Sequence, residues 1–398
     1  MKKILLLGGA HSQIPSIKKA RELGYYTITC DYLPNNPGHA FAHEYHNVST
    51  TDKEAVLALA QKLKIDGIVA YASDPAAPTA AYVAEKMGLP GHPYKAVEIL
   101  SHKDLFRHFL AENGFNAPRA QGFSRVEDAL ADWDNFKKPV MIKPVDSSAS
   151  KGVVEVRTKE ELKNSFPYSI SFSRCGRVVV EEFIESAMEI IHGDAFSVDG
   201  KLAFCCMGEQ FFWPTLANPY APIYTLWPHR MPQNLYQELY DTLQRLIKRL
   251  DMGTGAYNIE ARFDAKGDLY LIEVGPRCGG NWVPEAIQVS TGTDLTEYII
   301  KGAMGEDCSQ LRNIFPSTYS ANYILRPGTR GIFKGIEIDQ EIKENIVSFH
   351  QIVNFGTEVD VMIPARAVLG VMILHFTDVD DANKKLSNIK NYIRIIIE

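Results

Sequence analysis

What this chain lacks narrows it first. Its six cysteines, Cys30, Cys175, Cys205, Cys206, Cys278 and Cys308, form no Cys-x-x-Cys pair, which argues against a structural zinc site. In a chain this long they read as reduced thiols, not as a disulfide framework. No apolar run approaches the roughly 18 residues of a membrane span. The run Ile4 to Leu7 is cut by Gly8 and Gly9 and then by His11, Ser12 and Gln13, so it reads as a buried strand and not as a signal peptide. Lys and Arg number 42 against 48 Asp and Glu, a formal charge of -6, so no excess of positive charge draws the chain to phosphate backbones or anionic lipid. The expectation is a cytoplasmic protein with small-molecule partners, neither nucleic acid nor membrane, with a homodimer left open. Gly-x-Ser-x-Gly and His-Glu-x-x-His are absent, as is Gly-x-x-x-x-Gly-Lys-Ser/Thr.

What is present is a globular composition, 45% hydrophobic and 23% charged, over 398 residues, enough for two to four domains. The first 95 or so residues alternate strands with helices. Strands are expected at Lys3 to Leu7, Tyr26 to Cys30 and Gly67 to Tyr71, and helices at Ile14 to Leu23, Lys53 to Leu63 and Thr79 to Met87. That alternation predicts βαβ units and a parallel sheet. After a helix over Lys103 to Glu112 the texture becomes antiparallel α+β. Val140 to Val145 is expected to pair with Val153 to Arg157, Val178 to Phe183 with Ala195 to Val198, and Ala256 to Phe263 with Leu269 to Val274. A long helix near Leu235 to Leu250 interrupts them. Beyond Leu311 come strands at Tyr319 to Leu325 and Gly370 to Phe376, a helix near Val379 to Lys390 and a closing strand at Tyr392 to Ile397.

The most informative residues are Glu260 and Glu273. A two-residue turn at Lys266-Gly267 places them directly opposite each other in a hairpin. Facing carboxylates repel, so the arrangement points to a cation between them, and an all-oxygen donor set suits Mg²⁺ or Mn²⁺. Asn258 and Arg262 fall on the same face, and Glu273 runs into the polar, glycine-rich turn Gly275 to Asn281. Lys143 ends a strand ahead of the small-residue loop Asp146 to Gly152, where backbone N–H groups can close on phosphate oxygens. Near the N-terminus, Gly8-Gly9-Ala10-His11-Ser12-Gln13 follows a strand, but a Gly-x-Gly-x-x-Gly starting at Gly8 meets Ala10 and Gln13 where glycines are needed. The aromatic and proline-rich segment from Gln210 to Pro214 and Tyr220 to Arg230 is a candidate substrate wall, with His229 or Arg230 toward an anionic group.

Taken in order, Lys103, Lys143 with its loop, the strand Val178 to Glu185 and the Glu260/Glu273 hairpin ending in Pro276-Arg277 resemble the ATP-grasp superfamily across nearly all of residues 1 to 310. The resemblance implies an α/β plus α+β fold: a parallel-sheet pre-ATP-grasp domain of Rossmann-like type over 1–98, and an ATP-grasp domain of two α+β subdomains over 99–310 with its lid at about 118–182. A small C-terminal α+β domain follows over 311–398. It implies ATP and Mg²⁺ as cofactors, with Lys103 and Lys143 on the phosphates and Ser147, Ser148, Ser150 and Gly152 in the lid loop. Glu181, Glu182, Phe183 and Ile184 would form the adenine hinge, with Glu189 on the ribose. Glu260 and Glu273 would hold the metal, and Arg277 would steady the transferring phosphoryl group with Lys143.

The activity implied is ligation of a small, amino-acid-like carboxylate, activated as an acyl phosphate, to an amine. Asp74, Arg262, His229, Arg230, Gly279 and Gly280 are candidate substrate contacts. The alternatives are a purine-biosynthetic or carbamoyl-phosphate-synthetase-like ligase and a catalytically impaired ATP-binding protein. One departure stands out: the family's Glu-x-Asn-Pro-Arg is Glu273-Val274-Gly275-Pro276-Arg277 here, so a side-chain metal ligand is missing.

Overall fold

Four sheets organise the described part of the computed structural model, which covers residues 1–213, 219–361 and 368–398. The first holds β1 (Lys3–Leu7), β2 (Tyr26–Cys30), β3 (Glu44–His46) and β4 (Gly67–Val69), all parallel in the order β3-β2-β1-β4. Strand β1 is a near-continuous apolar run, as expected of a strand covered on both faces. Helices α1 (Ile14–Glu22), α2 (Lys53–Leu63) and α3 (Ala77–Met87) supply that cover. Asp52 caps α2 by accepting from the Ala55 N–H, and Gly88 ends α3 in the left-handed region that glycine enters without strain. The loops after β1 and β4 therefore sit at the carboxyl edge of a parallel sheet, where such folds place their ligands.

Two further helices, α4 (Tyr94–Ser101) and α5 (Lys103–Glu112), lead into a four-stranded antiparallel sheet. Its strands are β5 (Ala120–Phe123), β6 (Val140–Pro144), β7 (Val154–Val156) and β8 (Val178–Glu182), in the order β5-β8-β6-β7. The pairing of Val178 to Phe183 with Ala195 to Val198 expected from sequence does not form. Both edges of β8 are taken by β5 and β6, while the later segment belongs to another sheet. Residues 183–189 carry the chain from one to the other.

That other sheet is the largest, antiparallel throughout. It contains β9 (Ile190–Val198), β10 (Lys201–Phe212), β11 (Pro222–Trp227), β12 (Gly255–Phe263), β13 (Leu269–Gly275) and β14 (Tyr319–Leu325). Beyond β15 (Gly331–Ile338), it takes in β16 (Ile346–Gln351) and, after β17 (Glu358–Val359), β18 (Gly370–Phe376). The order is β13-β12-β9-β10-β11-β14-β18-β16, so one sheet runs without a break across position 311, and β14, β18 and β16 extend the surface begun by β12 and β13. A small sheet of β17, β15 and β19 (Ile393–Ile397) closes the chain. The amphipathic helix Gln233–Arg249 buries Leu239, Leu243, Leu246 and Ile247 against one face of the large sheet. Among the described residues no helix is long and apolar enough to cross a membrane.

Candidate active site

Glu260 and Glu273 are register partners across β12 and β13, reached by a different route from the one the sequence suggests. The turn holds three residues, with Asp264 and Asp268 closing it and Gly267 at φ +84°, which alone would shift the register by one. A bulge restores it: Ala261 pairs with Leu271, and Ile272 is the extra residue before Glu273. The bulge is held by Arg107 of α5, whose Nη2 donates to the Ile272 carbonyl at 2.7 Å and whose Nη1 reaches Leu271 O at 3.5 Å.

The same guanidinium anchors a second element. Arg107 Nε lies 2.8 Å from Glu181 Oε2, and Lys143 Nζ lies 2.6 Å from Glu181 Oε1. Burial pushes the Glu181 carboxyl up, but the Arg107 and Lys143 charges outweigh it and hold it at about 2. Both Glu181 oxygens are thus taken, Oε1 by Lys143 and Oε2 by Arg107, so its carboxylate is engaged and Glu182, Phe183 and Ile184 are the neighbouring groups left to the cavity. Lys103 Nζ donates to Ser147 O at 2.9 Å and stands 3.4 Å from Glu273 Oε2.

A cavity of about 700 Å³ gathers these groups. Lys103, Lys143, Ser147, Ser148, Ser150, Glu181, Glu182, Phe183 and Ile184 line it, with Asp74, Glu260, Arg262, Glu273, Arg277 and Gly280. Ala10, His11 and Ser12 from the loop after β1 join Asp74 in its wall. Five other expected residues are placed elsewhere. Gly152 packs beside Pro144 and Phe172, and Glu189 is exposed outside the lining. Gly279 is held behind the wall by its N–H to Asp194. His229 and Arg230 do not reach the cavity either: Arg230 Nε donates to the buried Glu209 at 2.8 Å, and the His229 ring is buried beside the same carboxylate. The buried Glu209 carboxylate takes the Arg230 guanidinium as its cation, and both side chains are held beside it and not in the cavity wall. Pro214, at the end of the aromatic segment, lies outside the described residues.

Arg277 is tied to Asp74: Nε donates to Oδ1 at 2.7 Å and Nη2 pairs with the same oxygen, while Nη1 donates to Cys278 O at 2.9 Å. Two of the five guanidinium N–H groups remain for the cavity. Burial pushes the Asp74 carboxyl up, yet Arg277 outweighs it and holds it below its ordinary value.

Sequence reasoning missed the residues behind the wall. Asp194 on β9 is fully buried and accepts from the Gly279 N–H at 2.8 Å and from Asn258 Nδ2 at 2.9 Å. Burial raises its carboxyl to about 6. His192, register partner of Glu260 on β9, lines the cavity, and burial lowers it to about 4, so the ring is neutral. A lone acid inside an apolar strand is the only sequence signal Asp194 gives.

The pair Glu260 and Glu273 fits a divalent cation. Arg262 at 3.5 Å and Lys103 at 3.4 Å stand off from them too far for tight ion pairs, and hard oxygens are the donors Mg²⁺ takes. No group of three or more His, Cys, Asp or Glu suited to a metal occurs among the described residues, so further ligands must be of another kind.

Residues 136–285 match the ATP-grasp domain family. An uncharacterised protein of Sinorhizobium fredii is 27% identical over 305 residues, covering 74% of this chain and 61% of that protein. The formate-dependent phosphoribosylglycinamide formyltransferase of Methanocaldococcus jannaschii is 28% identical over 282 residues, 69% of each chain. The crystal structure of an L-amino acid ligase from Bacillus licheniformis shares the fold at a TM-score of 0.82 and 20% identity, over 100% of this chain and 99% of that one. The chain carries an ATP-grasp domain over residues 136–285.

Proposed function

We propose that the chain is an ATP- and Mg²⁺-dependent ligase that activates a small, amino-acid-like carboxylate as an acyl phosphate and joins it to an amine. The observation that carries this reading is one cavity with two ends. At one end Glu260, Glu273, Lys103 and Lys143 converge. At the other, four strand steps along the sheet from β12 to β14 and so about 19 Å away, the wall is Trp282, Ile324, Ile352 and Val368, with Asn322 on β14 itself and Thr225 on the neighbouring β11. The cationic wall residues among those described are Lys103, Lys143, Lys151, Arg262 and Arg277, and none belongs to the β14 end. A carboxylate with a modest apolar body suits that end better than a phosphorylated sugar.

In the first step a substrate carboxylate oxygen bonds to the γ-phosphorus of ATP while the bond to the β-phosphate oxygen breaks, releasing ADP. The amine nitrogen then bonds to the acyl carbon, phosphate leaves, and the nitrogen loses a proton. Lys143, immobilised by Glu181, and Lys103 hold phosphate oxygens, and the free N–H groups of Arg277 bind the carboxylate as charge shifts onto it. Glu260 and Glu273 would hold Mg²⁺, which when bound would neutralise phosphate charge. The loop Ser147 to Gly152 excludes water that would hydrolyse the acyl phosphate.

The M. jannaschii relative favours a second reading, a purine-biosynthetic ligase using formate or a similar small acid. ADP release measured across pairs of amino acids, and with formate plus an amine-bearing ribonucleotide, separates the two. Amino-acid-dependent ADP release that falls by orders of magnitude in Glu273→Gln supports the proposal. Release confined to the ribonucleotide favours the second reading. Tight ATP binding without turnover on any pair refutes both and leaves a binding protein.

A further inference from the structure

Gly275 stands where the ATP-grasp pattern has a metal-binding asparagine, and the hairpin offers a replacement from across the strand pair. Asn258 is the register partner of Gly275, as Glu260 is of Glu273. Positions 258 and 260 share a face of β12, so Asn258, Glu260, Glu273 and Gly275 occupy four corners of one patch. Moving an asparagine from the corner at 275 to the corner at 258 displaces its backbone by only about 5 Å.

The Asn258 amide is already oriented for such a role. Its Nδ2 donates to Asp194 Oδ1 at 2.9 Å, to Gly193 O at 3.2 Å and to His192 Nε2 at 3.2 Å, and all three partners lie on β9. Two of these are oxygen acceptors, which settles which end of the amide is nitrogen. With nitrogen committed to β9, the oxygen is the end of the amide left to a ligand in the cavity. Asn258 lines the cavity.

We infer that Asn258 Oδ1 supplies the third protein oxygen of the divalent metal site, completing the set begun by Glu260 and Glu273. The inference rests on the metal site of the proposed ligase and names a ligand for it. Gly275 is then no sign of a disabled site, and the network of Asp194 and His192 is the outer support that aims this ligand.

The test uses the full-length chain with ADP and Mn²⁺ as the probe, following bound Mn²⁺ by electron paramagnetic resonance and repeating the titration with Cd²⁺. Asn258→Ala is expected to weaken Mn²⁺ binding on the order of 10-fold or more, with ADP affinity in the absence of metal unchanged. Asn258→Cys places a soft thiolate at the same corner. Its Mn²⁺ affinity should fall while its Cd²⁺ affinity holds or rises, inverting the preference of the wild-type chain. A residue that only braces Asp194 would lower both affinities together. Unchanged Mn²⁺ binding in Asn258→Ala, or parallel loss of both metals in Asn258→Cys, overturns the inference. If Glu273→Gln still abolishes Mn²⁺ binding in that case, the metal site and the ligase reading stand without Asn258. A wild-type chain that binds no Mn²⁺ beside ADP overturns both.

Discussion

Replacing Arg107 by methionine should damage stability and nucleotide binding together, because one guanidinium braces two separate parts of the site. It is 2% exposed, pairs with Glu181 and holds the carbonyl of the bulged Ile272. Methionine preserves much of the volume and none of the charge. Removing one partner of a buried ion pair costs about 3 to 5 kcal/mol, and Lys143, still 2.6 Å from Glu181, keeps the loss toward the lower part of that range. Unfolding entropy of roughly 2.1 cal/mol/K per residue gives about 0.8 kcal/mol/K for a chain of this length unfolding as one unit. The expected fall in Tm is therefore about 4 to 5 °C.

The pH dependence carries a second signature. Glu181 sits at about 2 in the folded chain against an ordinary 4.5. A depressed acid contributes stability that is present above its unfolded value and lost as pH falls through the folded one. The gap between wild type and variant should be wide at pH 7 and narrow as pH drops from 4.5 toward 2. Scanning calorimetry at several pH values measures the gap, and ATP titration measures the binding defect. A Tm within 1 °C of wild type at pH 7, with ATP affinity intact, would refute the bracing role.

Two further outcomes follow from neighbouring contacts. Lys143→Ala removes the cation proposed to hold phosphate oxygens while leaving Glu181 its Arg107 partner, so KM for ATP should rise about 10- to 100-fold with the fold intact. An unchanged KM in steady-state assays counts against that assignment. Asp194→Asn removes a carboxyl raised by burial to about 6 from an ordinary 3.8. The stability attached to a raised acid is present below the unfolded value and lost as pH rises through the folded one. The Tm of Asp194→Asn relative to wild type should therefore climb between pH 4 and pH 7, and a flat difference in thermal melts would exclude an ionising Asp194.

The parts of this site legible in the sequence are those fixed by local pattern. The βαβ alternation of the first 95 residues reads directly as a parallel sheet, and the hairpin carrying Glu260 and Glu273 is announced by its turn residues. Even there the facing of the two acids arises from two compensating irregularities, a three-residue turn and a bulge at Ile272, which no turn rule foresees. The pairing proposed for Val178 to Phe183 failed for a different reason. Sequence proximity suggested a hairpin, but residues 183–189 connect two sheets, and only long-range competition for strand edges decides which partners β8 takes. The supporting residues Arg107, His192 and Asp194 were hidden because each acts through burial, a property set by elements far away in the chain.

The position of β14 also bears on how the molecule is made. Its neighbour β11 is complete at Trp227, yet among the described residues one edge of β11 pairs with Tyr319–Leu325 alone. At about 5 to 20 residues per second, the ribosome needs roughly 5 to 18 seconds to deliver the stretch 228–318. Throughout that interval the nascent chain displays an unsatisfied row of amide and carbonyl groups on a strand of bulky apolar residues, the state most open to strand exchange with a neighbour on the same message.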